Sequence, residues 1–206
     1  MKNKFIFLLL IVSFSSYAQN KNNINNKHIQ FNLGRASHGT GDMRGLIFTT
    51  EYGKDFKKHL SWIIGISGTI HDGFRSNFFE SNGNLIDGSI RYTTAGVQTV
   101  GQIGYSAIKT TEHEIQIRAG ALVRYQSSSF YDDVSILFPG GTGLPFPVIV
   151  FNNTTPQRTY SIGGNFEIHY NYTITKKIMI GILAGLQTDT NGDTISQLSL
   201  SIGRRF

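Results

Sequence analysis

The sequence contains no cysteine, which excludes disulfide bonds, thiolate metal sites, a cysteine nucleophile and an N-terminal lipid-modified cysteine. Charged residues are also scarce: they make up 16% of the 206 residues, against roughly 25% in an ordinary soluble domain. After the N-terminal segment, no apolar run approaches the ~18 residues that a spanning helix needs, so a helical membrane protein is excluded as well. Glycine, in contrast, is abundant, with 23 residues.

The N-terminus has the pattern of a cleaved export signal. Two lysines precede an apolar core, residues 5–14, that is too short to span a bilayer. The small residues Ser16 and Ala18 then occupy the −3 and −1 positions of a cleavage site. We therefore expect export through the Sec pathway and cleavage after Ala18. The mature chain would begin with a polar leader, residues 19–28, followed by one domain over residues 29–206.

The formal net charge of +6 does not indicate nucleic-acid binding. Two of these charges lie in the predicted signal, so 6 − 2 leaves +4 for the mature chain. The basic residues are scattered in small groups and do not form the stripe interleaved with aromatic residues that nucleic-acid binding requires. No nucleic-acid partner is expected.

From residue 29 onward, the hydrophobic pattern has period two, which predicts strands with two different faces. Apolar Ile115 and Ile117, for example, alternate with polar Gln116 and Arg118. No segment shows a sustained 3.6-residue period, so the chain is predicted to be all-β. The eight predicted strands cover residues 29–36, 44–52, 59–70, 93–107, 113–127, 158–173, 177–188 and 195–206.

Charge placement predicts that the apolar faces of these strands point outwards into lipid. A soluble barrel would carry many Lys and Glu residues on its polar face, whereas this face is mainly Gly, Ser, Thr, Asn and Gln, which suits a crowded interior. The apolar face carries charge only near strand ends, at Arg35, Arg44 and Arg204, where long side chains can reach the membrane surface. In the membrane midplane a Lys or Arg on this face would cost about 2–4 kcal/mol.

Connection lengths and aromatic positions agree with this orientation. The two longest predicted connections, residues 71–92 and 128–157, lie at the same end of the barrel, as in outer-membrane barrels. Aromatic residues on the apolar face fall into two belts, as amphipathic rings do at membrane interfaces. Tyr92 has the wrong parity for its strand and would require a bulge. The belts comprise Tyr52, Trp62, Tyr105, Tyr170, Tyr172 and Phe206 at one end, and Tyr125 and Tyr160 at the other.

A polar network is predicted inside the barrel. Arg118 and Glu167 fall at similar heights on neighbouring strands, and we predict that they pair, because an unpaired buried charge is costly. Eight strands leave an interior just wide enough for side chains, and Ile47, Ile63, Leu122, Met179 and Leu183 are expected to fill part of it. The network is therefore interpreted as structural, with no catalytic, cofactor or metal site. Its predicted members are Glu51, Arg118, Arg124, Glu167, His169 and Arg205.

Other candidate motifs are interpreted as chance combinations. His38 with Asp42, and His71 with Asp72, could be fragments of a catalytic triad in external loops, but such residues are common in loops. Residues 189–193 imitate the start of a calcium loop without its required glycine and glutamate, and their Asn-Gly pair predicts a tight hairpin turn. The glycine-rich residues 140–143 lack the lysine and helix of a phosphate loop.

One predicted external segment, residues 134–151, is unusually apolar, and Pro139-Gly140-Gly141 is expected to form its tip. Two interpretations remain open: a hairpin that extends from the strands and packs on its neighbours, or a partner-binding surface, which large exposed apolar patches often mark. The residues expected to form such a surface are Ile136, Phe138, Phe146, Val148 and Val150.

The sequence resembles the small eight-stranded outer-membrane β-barrel proteins of Gram-negative bacteria, the group of the OmpA membrane domain and OmpX. The most specific part is residues 195–206, where Leu198, Leu200 and Ile202 alternate up to a final Phe206; this is similar to the terminal signal read by the barrel-assembly machinery, although Arg204 departs from it. The resemblance implies an eight-stranded antiparallel up-and-down transmembrane barrel in the outer membrane. Its expected partners are outer-membrane lipids and that machinery.

The expected function is a non-enzymatic structural or surface-interaction role through loops 71–92 and 128–157, with a protein partner at the second loop. A narrow channel for small solutes or ions is the alternative. A lipid A-modifying enzyme comes third, because the His-x-Ser-Asn motif of the lipid A deacylases is not found: His169-Tyr170-Asn171 lacks the serine.

Overall fold

A computed structural model describes residues 27–39, 43–81, 83–152, 157–175 and 177–206. The predicted signal and most of the predicted leader lie outside these ranges. The strands are β1 (Lys27–His38), β2 (Met43–Lys57), β3 (Leu60–Arg75), β4 (Phe78–Ser81), β5 (Asn84–Asp87), β6 (Ile90–Lys109), β7 (His113–Ser128), β8 (Asp133–Leu137), β9 (Val148–Asn152), β10 (Arg158–Thr173), β11 (Ile178–Asp189) and β12 (Thr194–Arg205), with a single helical turn, α1 (Pro139–Thr142).

Eight of these strands close into a barrel in the order β1-β12-β11-β10-β7-β6-β3-β2, and each is antiparallel to its neighbours. Closure is made by β1 and β12, which pair from His28↔Arg205 to His38↔Ile195. The predicted eight-stranded antiparallel up-and-down barrel is thus confirmed. We call the end where the chain enters at Lys27 the inner end, and the opposite end the outer end.

Strand boundaries differ from the prediction mainly at three places. The first strand starts at Lys27, inside the predicted leader. Strand β2 continues to Lys57, through most of the predicted connection 53–58, and β3 continues to Arg75, into the predicted loop 71–92. On β3 the alternation of buried and exposed residues persists through His71 and Gly73, so the sheet extends beyond the apolar segment that marked the strand in the sequence.

The predicted orientation of the two faces is confirmed. Outward-pointing Ile66 and Leu200 are 62% and 70% exposed, whereas inward-pointing Gln98 is 1% exposed. The apolar residues expected inside the barrel are also buried: Ile47, Ile63, Leu122, Met179 and Leu183. Exposure of such an apolar exterior to water costs free energy, whereas contact with lipid tails does not.

Glycine permits close strand contact at the centre of the wall. A Cβ built on Gly120 of β7 would collide with the carbonyl oxygen of Gly101 on β6 and lie 2.6 Å from Cα of Gln102. A side chain at Gly101 itself would meet nothing within 4 Å. The high glycine content therefore has a packing role in at least part of the barrel.

The outer end carries two small hairpins, β4–β5 and β8–β9, each a separate antiparallel pair. The predicted loop 128–157 thus contains a hairpin of its own, and α1 occupies its predicted tip. The predicted tight turn between β11 and β12 is present, with Gly192 at φ 80°. At the inner end the connections are short, spanning residues 58–59, 110–112 and 174–177. No helix in the described ranges has the length and apolar character to cross a membrane.

Candidate functional site

The lumen near the inner end is organised around Arg118 of β7. Its Nη1 donates to Oε2 of Glu51 at 2.7 Å and lies 3.2 Å from Nε2 of His169, while its Nε donates to Gln116. All four residues are buried. The guanidinium therefore joins β7 to β2 and β10 through the interior of the barrel.

The predicted Arg118–Glu167 ion pair is wrong. The two residues are direct register partners on β7 and β10, as their heights suggested, but the Arg118 side chain reaches across the lumen to Glu51 instead. Glu167 accepts a hydrogen bond from Nε2 of Gln197 at 3.1 Å, and its other oxygen lies 3.5 Å from Nε2 of His169. We call Arg118, Glu51, Glu167 and His169 the inner cluster; it holds two carboxylates and one guanidinium.

Glu51, Glu167 and His169 also bring one ligand atom each to within 4.8 Å of one another, a spacing that could suit a metal ion. Arg118 makes this site unfavourable for a cation, because its positive charge is already in contact with both Glu51 and His169. The arrangement can neutralise charge and fill the barrel. The charge of Arg118, and not the spacing of the ligand atoms, argues against a metal in this cluster.

A second group of charges lies at the inner rim. Arg205, which was expected to point inwards, is half-buried and pairs with Glu114, which also accepts from Oγ of Ser106 at 2.6 Å. Lys109 lies 3.6 Å from Glu114 and 2.6 Å from Asp55. Glu114 was not singled out in the sequence, although its position two residues before Gln116 gave it inward parity.

Arg124 organises the outer half of the lumen. Its three donor nitrogens each have a partner: Nε donates to Gln98 at 2.9 Å, Nη1 to Asp189 at 2.8 Å and Nη2 to Gln187 at 2.8 Å. The side chain of Arg124 is 1% exposed. The sequence placed Arg124 correctly but did not identify its partners, which lie on two other strands.

His38 and His71 lie at the outer mouth of the lumen. They were expected in external loops, but both are on barrel strands and point inwards, with ring centres 5.2 Å apart. Nε2 of His38 lies 3.5 Å from Oδ2 of Asp193, which accepts from Nε2 of Gln126 at 2.6 Å. The His38 side chain is the main cause that holds the pKa of Asp193 below its ordinary value, and burial of the carboxyl opposes this shift. Asp42 lies outside the described residues.

The aromatic residues on the apolar, lipid-facing side of the strands lie where the two belts were expected. At the inner end, Tyr52 and Trp62 are in ring contact at 5.5 Å, and the Tyr170 hydroxyl lies 2.9 Å from Nδ1 of His113. At the outer end, the rings of Tyr125 and Tyr160 are 4.8 Å apart. The other three predicted belt residues are also on this face: Tyr105, Tyr172 and Phe206.

Tyr92 does not require the bulge that its parity suggested. It pairs in register with Gly73 and points to the inner side of β6, above the level of the main lumen. Its ring packs against Phe130 with centres 4.6 Å apart, and the missing side chain of Gly73 leaves room for it.

The two external hairpins form an apolar groove between them, of about 320 Å³, which we call the hairpin groove. Several of its residues are highly exposed: Phe78 is 58% and Phe138 66% exposed. Of the other residues predicted for this surface, Ile136 and Phe146 are exposed, whereas Val148 and Val150 are half-buried. The groove is lined by Phe78, Glu80, Ile86, Ile136, Phe138, Pro147 and Ile149.

Contacts below the groove hold the bases of the hairpins together. Nδ2 of Asn77, just before β4, donates to the hydroxyl of Tyr131, just before β8, at 2.9 Å. The Tyr131 ring contacts Phe151 of β9 at 4.8 Å. The guanidinium of Arg75 lies 5.5 Å from the centre of the Phe130 ring, within cation–π range. The two hairpins are thus connected to each other and to β3.

The fold and the filled lumen define a class: the chain has the fold of the small eight-stranded outer-membrane β-barrels of OmpA and OmpX type. Similar solved structures include Ail, the attachment invasion locus protein of Yersinia pestis (10% identity, TM-score 0.50, 88% of this chain and 99% of that chain). The N-terminal barrel domain of OprF from Pseudomonas aeruginosa is similar as well (10%, 0.51, 88% and 98%), as is Neisserial surface protein A (10%, 0.51, 87% and 97%). No family model and no curated protein matches the sequence.

Proposed function

We propose that this chain is a non-enzymatic outer-membrane barrel that displays a protein-binding surface on its two external hairpins. The observation that carries the proposal is the hairpin groove, because exposed apolar surface of this kind commonly marks interaction sites. The contacts of Tyr131 with Asn77 and Phe151 support it, since they hold the two sides of the groove in place before a partner binds.

The groove favours a protein partner over a sulfated sugar. A structure of Ail is described as a complex with a heparin analogue, sucrose octasulfate. Such a polyanion is bound by clustered cations, whereas the lining of the hairpin groove is apolar and its one charged residue, Glu80, is acidic. We therefore propose an apolar protein segment as the occupant.

Two neighbouring residues of β5 provide a matched test. Ile86 lines the groove, whereas Leu85 is 72% exposed and does not line it. A photo-crosslinking residue at position 138, in cells that express the protein, should capture a specific partner. Ile86→Ser should abolish this product and Leu85→Ser should leave it. The same result for both variants would contradict the proposal. So would unchanged binding of the captured partner after deletion of residues 134–151.

A narrow channel is the second candidate, and the lumen argues against it. Eight-stranded barrels have little interior space, and large side chains fill it here. Those that are almost fully buried are Arg118, Arg124, Ile47, Ile63, Leu122, Met179 and Leu183. We expect the refolded protein to give no stepwise conductance in planar bilayers. Regular conductance steps in the purified protein would favour the channel instead.

Export, membrane insertion and assembly complete the proposal. We propose cleavage after Ala18, location in the outer membrane, and recognition of β12 by the barrel-assembly machinery. The apolar outer face and the two aromatic belts support the location. Phe206→Ala should reduce the amount of assembled protein in outer-membrane fractions without changing synthesis, and unchanged assembly would remove the proposed role of the terminal residue.

A further inference from the structure

The two histidines at the outer mouth are buried without hydrogen bonds to the described residues. His38 is 5% and His71 1% exposed, and none of their four ring nitrogens has a hydrogen-bond partner among the described residues. Gly45 of β2 is the register partner of His71, and its lack of a side chain leaves room for the His71 ring to approach His38. Buried polar atoms without hydrogen bonds are uncommon and costly, and each such atom calls for an explanation.

Two of the separations between these groups are close to those of a transition-metal site. Zinc forms tetrahedral bonds of about 2.0–2.1 Å to imidazole nitrogen and carboxylate oxygen, so two of its ligand atoms are roughly 3.4 Å apart, and two imidazoles on one ion have ring centres roughly 5 Å apart. Nε2 of His38 is 3.5 Å from Oδ2 of Asp193, and the ring centres of His38 and His71 are 5.2 Å apart.

The surroundings also suit a cation better than those of the inner cluster. The positive charge of Arg124 acts on both His71 and Asp193, but Arg124 is paired with Asp189 at 2.8 Å and its other nitrogens donate to Gln98 and Gln187. Gln126 donates to Asp193, which is the kind of outer hydrogen bond that orients a metal-binding carboxylate. In the inner cluster, by contrast, the positive charge of Arg118 directly contacts two of the three candidate ligands.

We propose that His38, His71 and Asp193 bind a divalent transition-metal ion of the zinc type at the outer mouth of the barrel. The fourth coordination position would be open to water or to a ligand from outside. Imidazole ligands favour Zn²⁺, Ni²⁺ and Cu²⁺, whereas Ca²⁺ and Mg²⁺ prefer oxygen. Among the described residues, only Glu51, Glu167 and His169 have ligand atoms within 4.8 Å of one another. Ion binding at the outer mouth therefore includes a turn of the His71 ring towards His38 and Asp193.

The test is titration of the untagged full-length mature protein, refolded in detergent, with ZnCl₂ in a calorimeter, and with CaCl₂ and MgCl₂ in parallel. We expect one Zn²⁺ per chain and no comparable binding of Ca²⁺ or Mg²⁺. Both His38→Gln and His71→Gln should weaken Zn²⁺ binding by at least about 10-fold, since loss of even an outer partner of a ligand costs about 10–100-fold. His113→Gln is the matched control, because His113 is exposed at the opposite end of the barrel.

A second measurement shows where the ion is bound. Co²⁺ in place of Zn²⁺ should give the visible absorption of a low-coordinate site with nitrogen ligands, and this absorption should disappear in His71→Gln. The heat-dependent gel mobility of each variant shows that it has folded. The proposal is overturned if no Zn²⁺ binds, if both histidine variants bind it as tightly as the unsubstituted protein, or if Glu167→Gln abolishes binding, which would place the ion in the inner cluster.

Discussion

The inner cluster makes a quantitative prediction about which charge is indispensable. Arg118→Met would leave two carboxylates, Glu51 and Glu167, buried without a cation, and breaking a buried pair in this way costs about 3–5 kcal/mol. Glu51→Gln retains an acceptor for Arg118, and Glu167 remains close, so we expect a loss of about 1–3 kcal/mol. Glu167→Gln removes the second carboxylate, for which the cluster has no guanidinium, and keeps an oxygen that can accept from Gln197. The free energy of unfolding should therefore change by no more than about 1 kcal/mol. The order of these losses is the prediction.

Trp62 provides the assay, because it is the only tryptophan in the sequence and lies on the lipid-facing side of the barrel, in the aromatic belt at the inner end. Its fluorescence, followed during urea unfolding in lipid vesicles, gives the free energy of unfolding of each variant from the midpoint and slope. Heat-dependent gel mobility serves as a second probe of the folded state. The reasoning is refuted if Glu167→Gln destabilises the barrel as much as Arg118→Met does, since that would make Glu167 the main partner of the guanidinium.

Three further predictions use the same unfolding assay. Ile66→Arg, in the middle of the outer face, should cost about 2–4 kcal/mol in vesicles, and a neutral effect would contradict a lipid-facing position for this residue. Gly120→Ala should cost about 1–3 kcal/mol because its Cβ would collide with the β6 backbone, whereas Gly101→Ala has free space and should change stability by less than about 1 kcal/mol; equal effects would contradict the packing role. Arg124→Lys should cost about 1–3 kcal/mol, since an ammonium cannot reproduce the three-directional hydrogen bonding of the guanidinium, and full stability would show that charge alone suffices.

The fold could be predicted from the sequence because the period-two pattern acts strand by strand. Parity alone identified the inward residues of the predicted network, and the inward positions of Glu114 and Tyr92 also follow from it. His38 and His71 were missed because they lie beyond the predicted strand ends. Strand ends were less accurate, since the sheet extends beyond the apolar segment at β3, where hydrophobicity no longer marks it. The hairpins β4–β5 and β8–β9 were not predicted as separate elements, because their short strands carry no long alternation.

Partners across the lumen could not be predicted in the same way. Register relates Arg118 to Glu167 on the adjacent strand, and that much was visible in the sequence. Glu51, however, lies on β2, and β6 and β3 separate it from β7 in the wall. Whether such residues meet depends on strand tilt and stagger around the closed barrel, and these are properties of the whole sheet that no single strand encodes. The same holds for Arg124 with Asp189.

The outer end of the barrel combines a fully bonded arginine, unbonded histidine nitrogens and exposed apolar side chains. Arg124, with every donor nitrogen bonded, closes the outer half of the lumen with fixed partners, and such satisfied networks make a barrel rigid. Above it, the mouth holds histidine nitrogens without hydrogen bonds to any described residue, and the hairpins expose apolar side chains such as Phe138. Binding of a ligand or partner that covers exposed apolar groups, or bonds to unbonded polar atoms, lowers the free energy. A filled barrel below a surface of this kind supports the proposal that the protein holds a binding site in place and does not conduct solutes.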